Sequence, residues 1–281
     1  MIGVPPLLMT QRRPTIGVFD SGFGGLTVLK ALLELIPEAD YAYFGDTARL
    51  PYGSKSVETV ARYAVEAAHY LEGNGAELLV IACNTATALA LDRITAAAHV
   101  PVVGVVEPGA EAAAAVSKNK KVVVIGTEAT VSSHAYRRAL EARGLQAREK
   151  ACPLLVPLVE EGWVEHPVTE EVAGIYLREA FAGGFGDADA LVLGCTHYPL
   201  LKPLLRRVAP PHVSIVDSAE STAHAVSGHL QSLLPPAVDE ERRGRPRLKF
   251  FATDSVEKFR RLGERFLGHP IEDVRHVDLK E

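Results

Sequence analysis

The sequence has few cysteines, no excess of positive charge and no long apolar run. Only three of its 281 residues are cysteines, and none belongs to a Cys-x-x-Cys pair. That excludes a disulfide-stapled secreted fold and favours a reducing compartment, the cytoplasm. The 30 Lys and Arg against 35 Asp and Glu give a net charge of −5, which disfavours nucleic-acid binding. A chain of this length can bury a large core without cross-links.

Membrane insertion is also disfavoured. The nearest approach to the roughly 18 uninterrupted apolar residues of a membrane-spanning helix is Leu78–Leu91, which Asn84, Thr85 and Thr87 interrupt. The first residues contain two prolines in their apolar part and carry their arginines after it, unlike a secretory signal. We expect a soluble protein.

Short apolar, β-branched runs alternate with longer runs rich in Ala and Leu. This alternation is typical of parallel strands joined by crossover helices, so the sequence predicts an α/β fold. Polar residues and glycines concentrate just after the strands, where open parallel sheets bind their ligands. The predicted strands are Thr15–Phe19, Asp40–Phe44, Leu78–Ala82, Val102–Val106, Lys121–Ile125, Ala147–Ala151, Ala190–Leu193, Val213–Val216 and Arg247–Ala252.

The chain contains an internal repeat. Three segments recur in the same order at offsets of 112, 106 and near 110 residues, which predicts two related α/β halves of about 110 residues each. Each half contributes one cysteine at a strand end. The matched segments are Leu79–Ala86 with Leu191–Tyr198, Ile16–Ser21 with Val122–Thr127, and Val103–Glu107 with Ser214–Asp217.

The two strand-end cysteines, Cys83 and Cys195, are candidates for chemistry. A cysteine at a helix N-terminus has a lowered pKa and can be a thiolate near neutral pH. A buried free cysteine is otherwise a small apolar residue, and for one cysteine alone that interpretation would stand. Two cysteines in matched contexts favour a function, whereas Cys152 has no counterpart and is interpreted as a buried bystander.

Two thiols facing one cleft could ligate a metal, exchange disulfides or transfer protons. Structural zinc usually needs ligands in short-range pairs, and Cys195 and His197 form the only such pair here. Redox thiols normally lie two residues apart rather than 112. Two-base proton transfer remains, because related halves can place equivalent bases on opposite faces of one carbon. That reaction is a racemisation or epimerisation.

Other motifs are weaker. The glycines of Gly22–Gly25 fit neither a dinucleotide fingerprint nor a P-loop. Ser255-Val256-Glu257-Lys258 spells Ser-x-x-Lys, but it lies in a charged amphipathic helix and is interpreted as a solvated face. No lysine lies at a strand end where a pyridoxal Schiff base would be expected, so that cofactor is not supported.

Several motifs stand out in the sequence: Asp20-Ser21-Gly22-x-Gly24-Gly25, Phe44-Gly45-Asp46-Thr47, Pro51-Tyr52-Gly53, Ala82-Cys83-Asn84-Thr85-Ala86, Gly104-Val105-Val106-Glu107-Pro108 and Gly194-Cys195-Thr196-His197-Tyr198-Pro199-Leu200. Together they resemble the bacterial glutamate racemases, over about Ile16 to Ala223. The resemblance implies two flavodoxin-like α/β domains with mostly parallel sheets, residues 15–106 with 219–281 and residues 107–218, and an active site in the cleft between them. It also implies an N-terminal extension over residues 1–14, no cofactor, no metal, and a role in supplying D-glutamate for peptidoglycan.

Carried over residue by residue, the resemblance implies the members of the site. Asp20 would pair with the substrate ammonium group, and His197 would assist proton transfer at Cys195. An acidic residue near the active site falls on Glu160 in preference to Glu161. Thr127 occupies the slot that matches Ser21, although a helix N-cap would explain it equally well. The implied catalytic residues are Cys83, Cys195, His197, Asp20 and Glu160, and the implied substrate-binding residues are Asp20, Ser21, Tyr52, Gly53, Asn84, Thr85, Thr127, Thr196 and His197.

Two alternatives stay open on the sequence. An aspartate or broad-specificity amino-acid racemase would use the same cysteine pair, because specificity depends on the size of the pocket. A two-lobed amino-acid binding protein would share the cleft, but it would have no need of a thiol on each side. A homodimer is expected by resemblance alone.

Overall fold

The computed structural model describes residues 13–230 and 245–279. Most of the predicted N-terminal extension and the start of the basic run Arg242–Lys249 lie outside these residues. Among the described residues, no helix is both long and apolar enough to cross a membrane. The strands are β1 (Thr15–Asp20), β2 (Asp40–Gly45), β3 (Leu78–Ile81), β4 (Val102–Gly104), β5 (Lys121–Gly126), β6 (Gln146–Ala151), β7 (Ala190–Gly194), β8 (Ser214–Asp217), β9 (Leu248–Ala252) and β10 (Val274–His276).

Helices follow most of the strands, as the alternating pattern predicts. The α-helices are α1 (Leu26–Leu35), α2 (Val57–Gly73), α3 (Asn84–Ala97), α4 (Val106–Val116), α5 (Glu128–Ser133), α6 (Ala135–Glu141), α7 (Leu155–Glu160), α8 (Pro167–Ala180), α9 (Lys202–Val208), α10 (Ser218–Leu230) and α11 (Val256–Leu267).

The strands form two parallel sheets with the same internal order. The first sheet runs β10-β9-β2-β1-β3-β4 and the second runs β6-β5-β7-β8. Both contain the order 2-1-3-4 that characterises flavodoxin-like folds. The equivalent strands are β1 with β5, β3 with β7 and β4 with β8, which are the pairs matched by the sequence repeat. The predicted α/β class and the two similar α/β halves are therefore confirmed.

The central strands are apolar along their whole length because helices cover both faces of each sheet. All residues of β3 and β7 are buried, and so are all but the first of β1 and β5. A strand buried on both sides cannot place a polar side chain within its length without a partner. The polar side chains of these strands, Thr15, Asp20 and Lys121, accordingly lie at the first or last residue of their strand.

All nine predicted strands are present, with two differences at the level of elements. The fourth strand ends at Gly104 instead of Val106, because Val105 already has helical backbone angles and Val106 begins α4. The strand β10 was not predicted, since it has only three residues and none of them is buried. It forms a strand because it pairs with β9, and its own sequence does not indicate that pairing.

The chain crosses between the sheets twice. Strands β1 to β4 build the first sheet, β5 to β8 build the second, and β9 and β10 return to the first. The predicted domain limits fall beside the first residues of two helices, Val106 of α4 and Ser218 of α10. Each of these helices therefore begins where the chain passes from one half of the molecule to the other.

The two halves touch closely beside the first glycine-rich turn. Thr27 Oγ1 donates a hydrogen bond to the carbonyl of Thr196, at 3.1 Å. A Cβ placed on Gly24 would lie 2.5 Å from His197 Nδ1 and would also collide with Thr196 Oγ1. The turn of one half therefore rests directly on the cysteine loop of the other, and only glycine permits that approach.

Candidate active site

Cys83 follows β3 and occupies the N-cap position of α3. Its sulfur accepts a hydrogen bond from the backbone N–H of Ala86 and donates one to Ser21 Oγ, each at 3.4 Å. The residue is 5% exposed, so the thiol lies at the floor of the cleft with only a small opening toward it. The turn after β1 and the turn after β3 are thus joined at the sulfur.

The expectation of a lowered pKa at Cys83 is wrong. Burial, followed by the negative charge of Asp20, raises the pKa of the thiol to about 12. The hydrogen bonds between Cys83 and the residues Ser21 and Ala86 lower this pKa but are outweighed. The helix N-terminus is present as predicted, but the loss of solvation destabilises the thiolate more than the first turn of the helix stabilises it.

Cys195 follows β7 and faces an imidazole. Its sulfur lies 3.9 Å from His197 Nδ1, and Nε2 on the other side of the ring lies 3.2 Å from Glu160 Oε1. Burial lowers the pKa of His197, but the contacts with Cys195 and Glu160 outweigh it and raise that pKa to about 10. The three side chains form a continuous chain of proton donors and acceptors.

The helix predicted directly after Cys195 is not an α-helix. A 3-10 helix spans Tyr198–Leu201, and α9 starts only at Lys202. Both short helices carry a proline in their first turn, at Pro199 and Pro203, and proline supplies no backbone N–H. The sulfur of Cys195 has His197 as its partner, where that of Cys83 has the N–H of Ala86. The equivalent N–H, that of Tyr198, donates to the Cys195 carbonyl instead.

Asp20 lies at the end of β1, is 1% exposed, and is only partly satisfied. Its Oδ2 accepts a hydrogen bond from the backbone N–H of Gly22 at 2.8 Å, whereas the buried Oδ1 has no hydrogen-bond partner. Burial raises the pKa of this carboxyl, and the charge of His197 opposes that effect. Its charge acts on Cys83 of the first half and on His197 of the second, so one carboxylate influences both cysteine loops.

A network of hydroxyl and amide groups lines the start of α3. Thr85 Oγ1 lies 3.0 Å from Thr127 Oγ1 and 3.3 Å from Thr130 Oγ1, so this contact also joins the two halves. Thr127 caps α5 by accepting from the N–H of Thr130 at 3.3 Å. The capping interpretation of Thr127 is therefore confirmed, and the same hydroxyl also faces the cleft residue Thr85.

Asn84, next to Cys83, is held by Ser218, one of the polar strand-end residues, and by Tyr136, which the sequence did not indicate. The Tyr136 hydroxyl donates to Asn84 Oδ1 at 2.7 Å, and Asn84 Nδ2 donates to Ser218 Oγ at 3.4 Å. Tyr136 is fully buried in α6, and Ser218 is buried at the start of α10. Tyr136 carries no signal in the sequence, because it lies inside a helix and away from every strand end.

Tyr52 and Gly53 belong to a 3-10 turn that reaches the second half. The Tyr52 hydroxyl donates to Asp46 Oδ2 at 2.5 Å, and Asp46 Oδ1 accepts from Thr253 Oγ1 at 2.9 Å. The hydroxyl of Tyr52 is thus occupied, which leaves its ring and backbone to shape the cleft. A Cβ at Gly53 would lie 3.6 Å from Thr127 Cβ, so this turn is also packed across the cleft.

The residues implied by the resemblance lie at strand ends or in segments that follow strands of the two sheets, except Glu160, the last residue of α7, which reaches the Cys195 loop through His197. Cys152 is fully buried, with its sulfur 3.6 Å from the carbonyl of Lys150, and belongs to the core as interpreted. A separate cavity of about 440 Å³ lies between α3, α4 and α6 and includes none of the implied site residues. Among residues 13–230 and 245–279, no three His, Cys, Asp or Glu side chains are grouped so that they could hold a metal ion.

The close approach at Gly24 can be tested. We expect Gly24→Ala to reduce activity by about 10²-fold, because the added methyl group forces the glycine-rich turn away from Thr196 and His197 and displacements near 1 Å can cost that much. Steady-state kinetics together with a thermal unfolding curve would measure it. Gly228→Ala in α10 is the matched control, since a Cβ there meets no atom within 4 Å. Equal effects of the two substitutions would contradict the packing argument.

Two pseudo-symmetric α/β halves, each presenting a strand-end cysteine to a shared cleft, define a two-lobed enzyme with paired thiols. A family model for Asp/Glu/Hydantoin racemases matches residues 16–226. The chain is 61% identical over 289 residues to the glutamate racemase of Koribacter versatilis, covering 96% of this chain and 99% of the relative. This protein belongs to the Asp/Glu/Hydantoin racemase family and is an isomerase of the amino-acid racemase class.

Solved structures agree with that assignment. Glutamate racemase from Thermus thermophilus in complex with β-chloro-D-alanine is 48% identical, with a TM-score of 0.84, and the match covers 95% of this chain and 98% of that one. Glutamate racemase from Francisella tularensis in complex with D-glutamate is 35% identical, also with a TM-score of 0.84, over 95% of this chain and 97% of that one.

Proposed function

We propose that this protein interconverts L-glutamate and D-glutamate without a cofactor, by transferring protons between Cys83 and Cys195. The observation that carries the proposal is the matched position of the two thiols, each directly after the equivalent strand of its sheet and each nearly buried beside the same cleft. A substrate held between the two strand ends would present opposite faces of its α-carbon to the two sulfurs.

The proton balance of the reaction needs only the two cysteines. One thiolate removes the α-proton and becomes a thiol, and the opposite thiol returns a proton to the other face and becomes a thiolate. The roles reverse for the other enantiomer. The raised pKa of Cys83 fits a neutral thiol that donates its proton, and a substrate ammonium group beside Asp20 would offset the charge that raises it.

Each remaining residue has a proposed role that follows from its contacts. The buried, unpartnered Oδ1 of Asp20 is an acceptor for the substrate ammonium group. Hydroxyl and amide groups at the two cysteine loops, with the N–H groups at the start of α3, would hold the carboxylates of the substrate. These groups belong to Ser21, Asn84, Thr85, Thr127 and Thr196, while the turn at Tyr52 and Gly53 closes one wall.

His197 and Glu160 are proposed to serve the Cys195 side. Glu160 contacts Nε2 of the His197 ring, and the sulfur of Cys195 contacts Nδ1. The ring can therefore pass a proton to or from Cys195. The His197 side chain is 10% exposed and that of Glu160 is 25% exposed, which leaves the pair as a route for proton exchange with solvent. The sulfur of Cys83 contacts Ser21 Oγ and the N–H of Ala86 instead, so the two thiols differ in their surroundings.

The net charge of −5 offers no long-range attraction for an anionic substrate, so recognition would depend on these local donors. We further propose that residues 15–106 with 219–281 and residues 107–218 act as two domains that close on the substrate and exclude water. D-glutamate for peptidoglycan would be the cellular product, in the cytoplasm. The homodimer stays a prediction, which light scattering on the purified protein would test.

The direct test is incubation with L-glutamate in deuterated water. We expect D-glutamate to accumulate until the two isomers are equal, with deuterium at the α-position of the product, and NMR with chiral chromatography would measure both. L-aspartate in parallel distinguishes the broader racemase. Binding of glutamate without deuterium incorporation or any D-isomer would instead identify a two-lobed binding protein and would contradict the proposed racemase reaction.

A further inference from the structure

The helix α11 reaches from the first half of the molecule onto the Glu160–His197 pair of the second. It packs against α1 and β10 of the first half, through buried residues that include Phe259 and Leu262. The residues Arg265 and Phe266, near its end, face the other half. This helix contains Lys258 of the Ser-x-x-Lys sequence, which the proposed reaction does not use.

Arg265 contacts the turn that contains Glu160. Its Nη1 donates a hydrogen bond to the Glu160 carbonyl at 3.3 Å. A Cβ on Gly162, whose φ is +81°, would lie 2.8 Å from the same nitrogen, so the guanidinium lies directly on the turn. Glu160 is the last residue of a helix of only six residues, and such a short helix cannot by itself fix its final side chain.

Phe266, beside Arg265, fixes the other member of the pair. Its ring packs edge-on against the His197 imidazole, with the ring centroids 5.0 Å apart and the planes at 78°. Phe266 is 3% exposed, so this contact is part of the packed interior and leaves the imidazole little freedom to turn. Both contacts come from α11, and both act on the partners of Cys195.

We propose that Arg265 and Phe266 are positioning residues for the Cys195 side of the reaction: the docked helix α11 holds Glu160 and His197 in the geometry that connects Cys195 to solvent. The catalytic meaning of this inference rests on the proposed function, but the positioning itself does not. Since α11 belongs to one half and the pair to the other, these two holding contacts exist only when the halves are docked as they are here.

The charged groups around Glu160 and His197 determine whether a substitution raises or lowers the pKa of His197. Cys195, Glu160 and Asp20 face His197, and the positive charge of Lys258 acts on Glu160. The contact with Glu160 raises the pKa of His197, so loosening that contact lowers it. Loss of a nearby positive charge alone would raise it. The sign of the change therefore separates positioning from simple electrostatics.

The experiment is an NMR titration of the His197 ring in the full-length protein, assigned by the signal that disappears in His197→Asn. We expect Arg265→Gln to lower the His197 pKa by about one unit, and Glu160→Gln to lower it at least as far. Arg265→Lys, which keeps the charge and a donor, is expected to restore most of the wild-type value. Arg261→Gln, on the same helix and exposed, is the matched control and should leave it unchanged.

Kinetics supply the second readout. We expect Arg265→Gln and Phe266→Leu to lower kcat about 3- to 30-fold with little change in KM, and Arg265→Gln to move the alkaline limb of the pH–rate profile to lower pH. An unchanged or raised His197 pKa in Arg265→Gln would overturn the inference, whatever the activity. A lowered pKa in a protein that racemises nothing would support the positioning while refuting the proposed function.

Discussion

Cys83→Ser and Cys195→Ser are each expected to lose racemisation of glutamate by about 10³-fold or more. A serine hydroxyl is a far weaker acid than a thiol, so neither a base nor an acid of suitable strength remains on the altered face. Each sulfur is nearly buried and, in the proposed reaction, serves one face of the α-carbon, so the remaining thiol is not expected to substitute for the missing one. Chiral chromatography of the product after long incubation would measure the loss.

The same variants should keep a partial reaction that distinguishes the two faces. The remaining cysteine can still remove and return a proton on its own side, so each variant should exchange the α-hydrogen of one enantiomer with deuterated water without inverting it. The two variants should act on opposite enantiomers. Exchange of the same enantiomer by both, or unchanged racemisation by Cys83→Ser, would contradict the two-base mechanism.

Cys152→Ser is the matched control for both substitutions. Cys152 is equally a free cysteine, but it is fully buried in the core. We expect its replacement to leave the kinetic constants close to those of the wild type, with at most a modest loss of thermal stability. A large loss of activity in this variant would mean that any cysteine substitution disturbs the fold.

Asp20→Asn is expected to have the second large effect, mainly on kcat/KM. Truncating one partner of a buried charged pair costs about 2–5 kcal/mol, which corresponds to about 30- to 5,000-fold in kcat/KM. The asparagine keeps the shape and can still accept the N–H of Gly22, but it offers no charge to an ammonium group. Steady-state kinetics in both directions would measure the loss.

The Asp20 substitution also has a pH signature. The carboxylate charge contributes to the raised pKa of Cys83, so its removal should lower the pKa of that thiol. The pH dependence of thiol alkylation, measured in a variant that lacks Cys152 and Cys195, would report Cys83 alone. Alkylation that begins at lower pH in Asp20→Asn is the expected result, and an unchanged profile would show that burial alone raises the pKa.

The sequence predicts the fold well because its strong signals are local. Buried parallel strands are continuous apolar runs, so all nine predicted strands are present within a few residues of their bounds. The three-residue strand β10 was missed, since its residues are exposed and its pairing with β9 is a long-range choice. The helix expected directly after Cys195 was likewise wrong, because Pro199 and Pro203 divide that segment into short pieces.

The site was less predictable than the fold. Residues at strand ends could be found from sequence because parallel strands end at one edge of a sheet. Tyr136 and Phe266 could not, since both lie within helices and reach the site only through packing between distant segments. The direction of the pKa shift at Cys83 was also predicted wrongly, because desolvation depends on what surrounds the thiol in three dimensions.

By itself the sequence determined the α/β class, the two related halves and the separation of three cysteines into a matched pair and one bystander, because periodicity and internal repetition are properties of the chain. Only the tertiary structure decided how the surroundings of the two thiols act: burial and the charge of Asp20 raise the pKa of Cys83, whereas the sulfur of Cys195 lies 3.9 Å from an imidazole that Glu160 also contacts. These effects depend on distances and burial that no local pattern records.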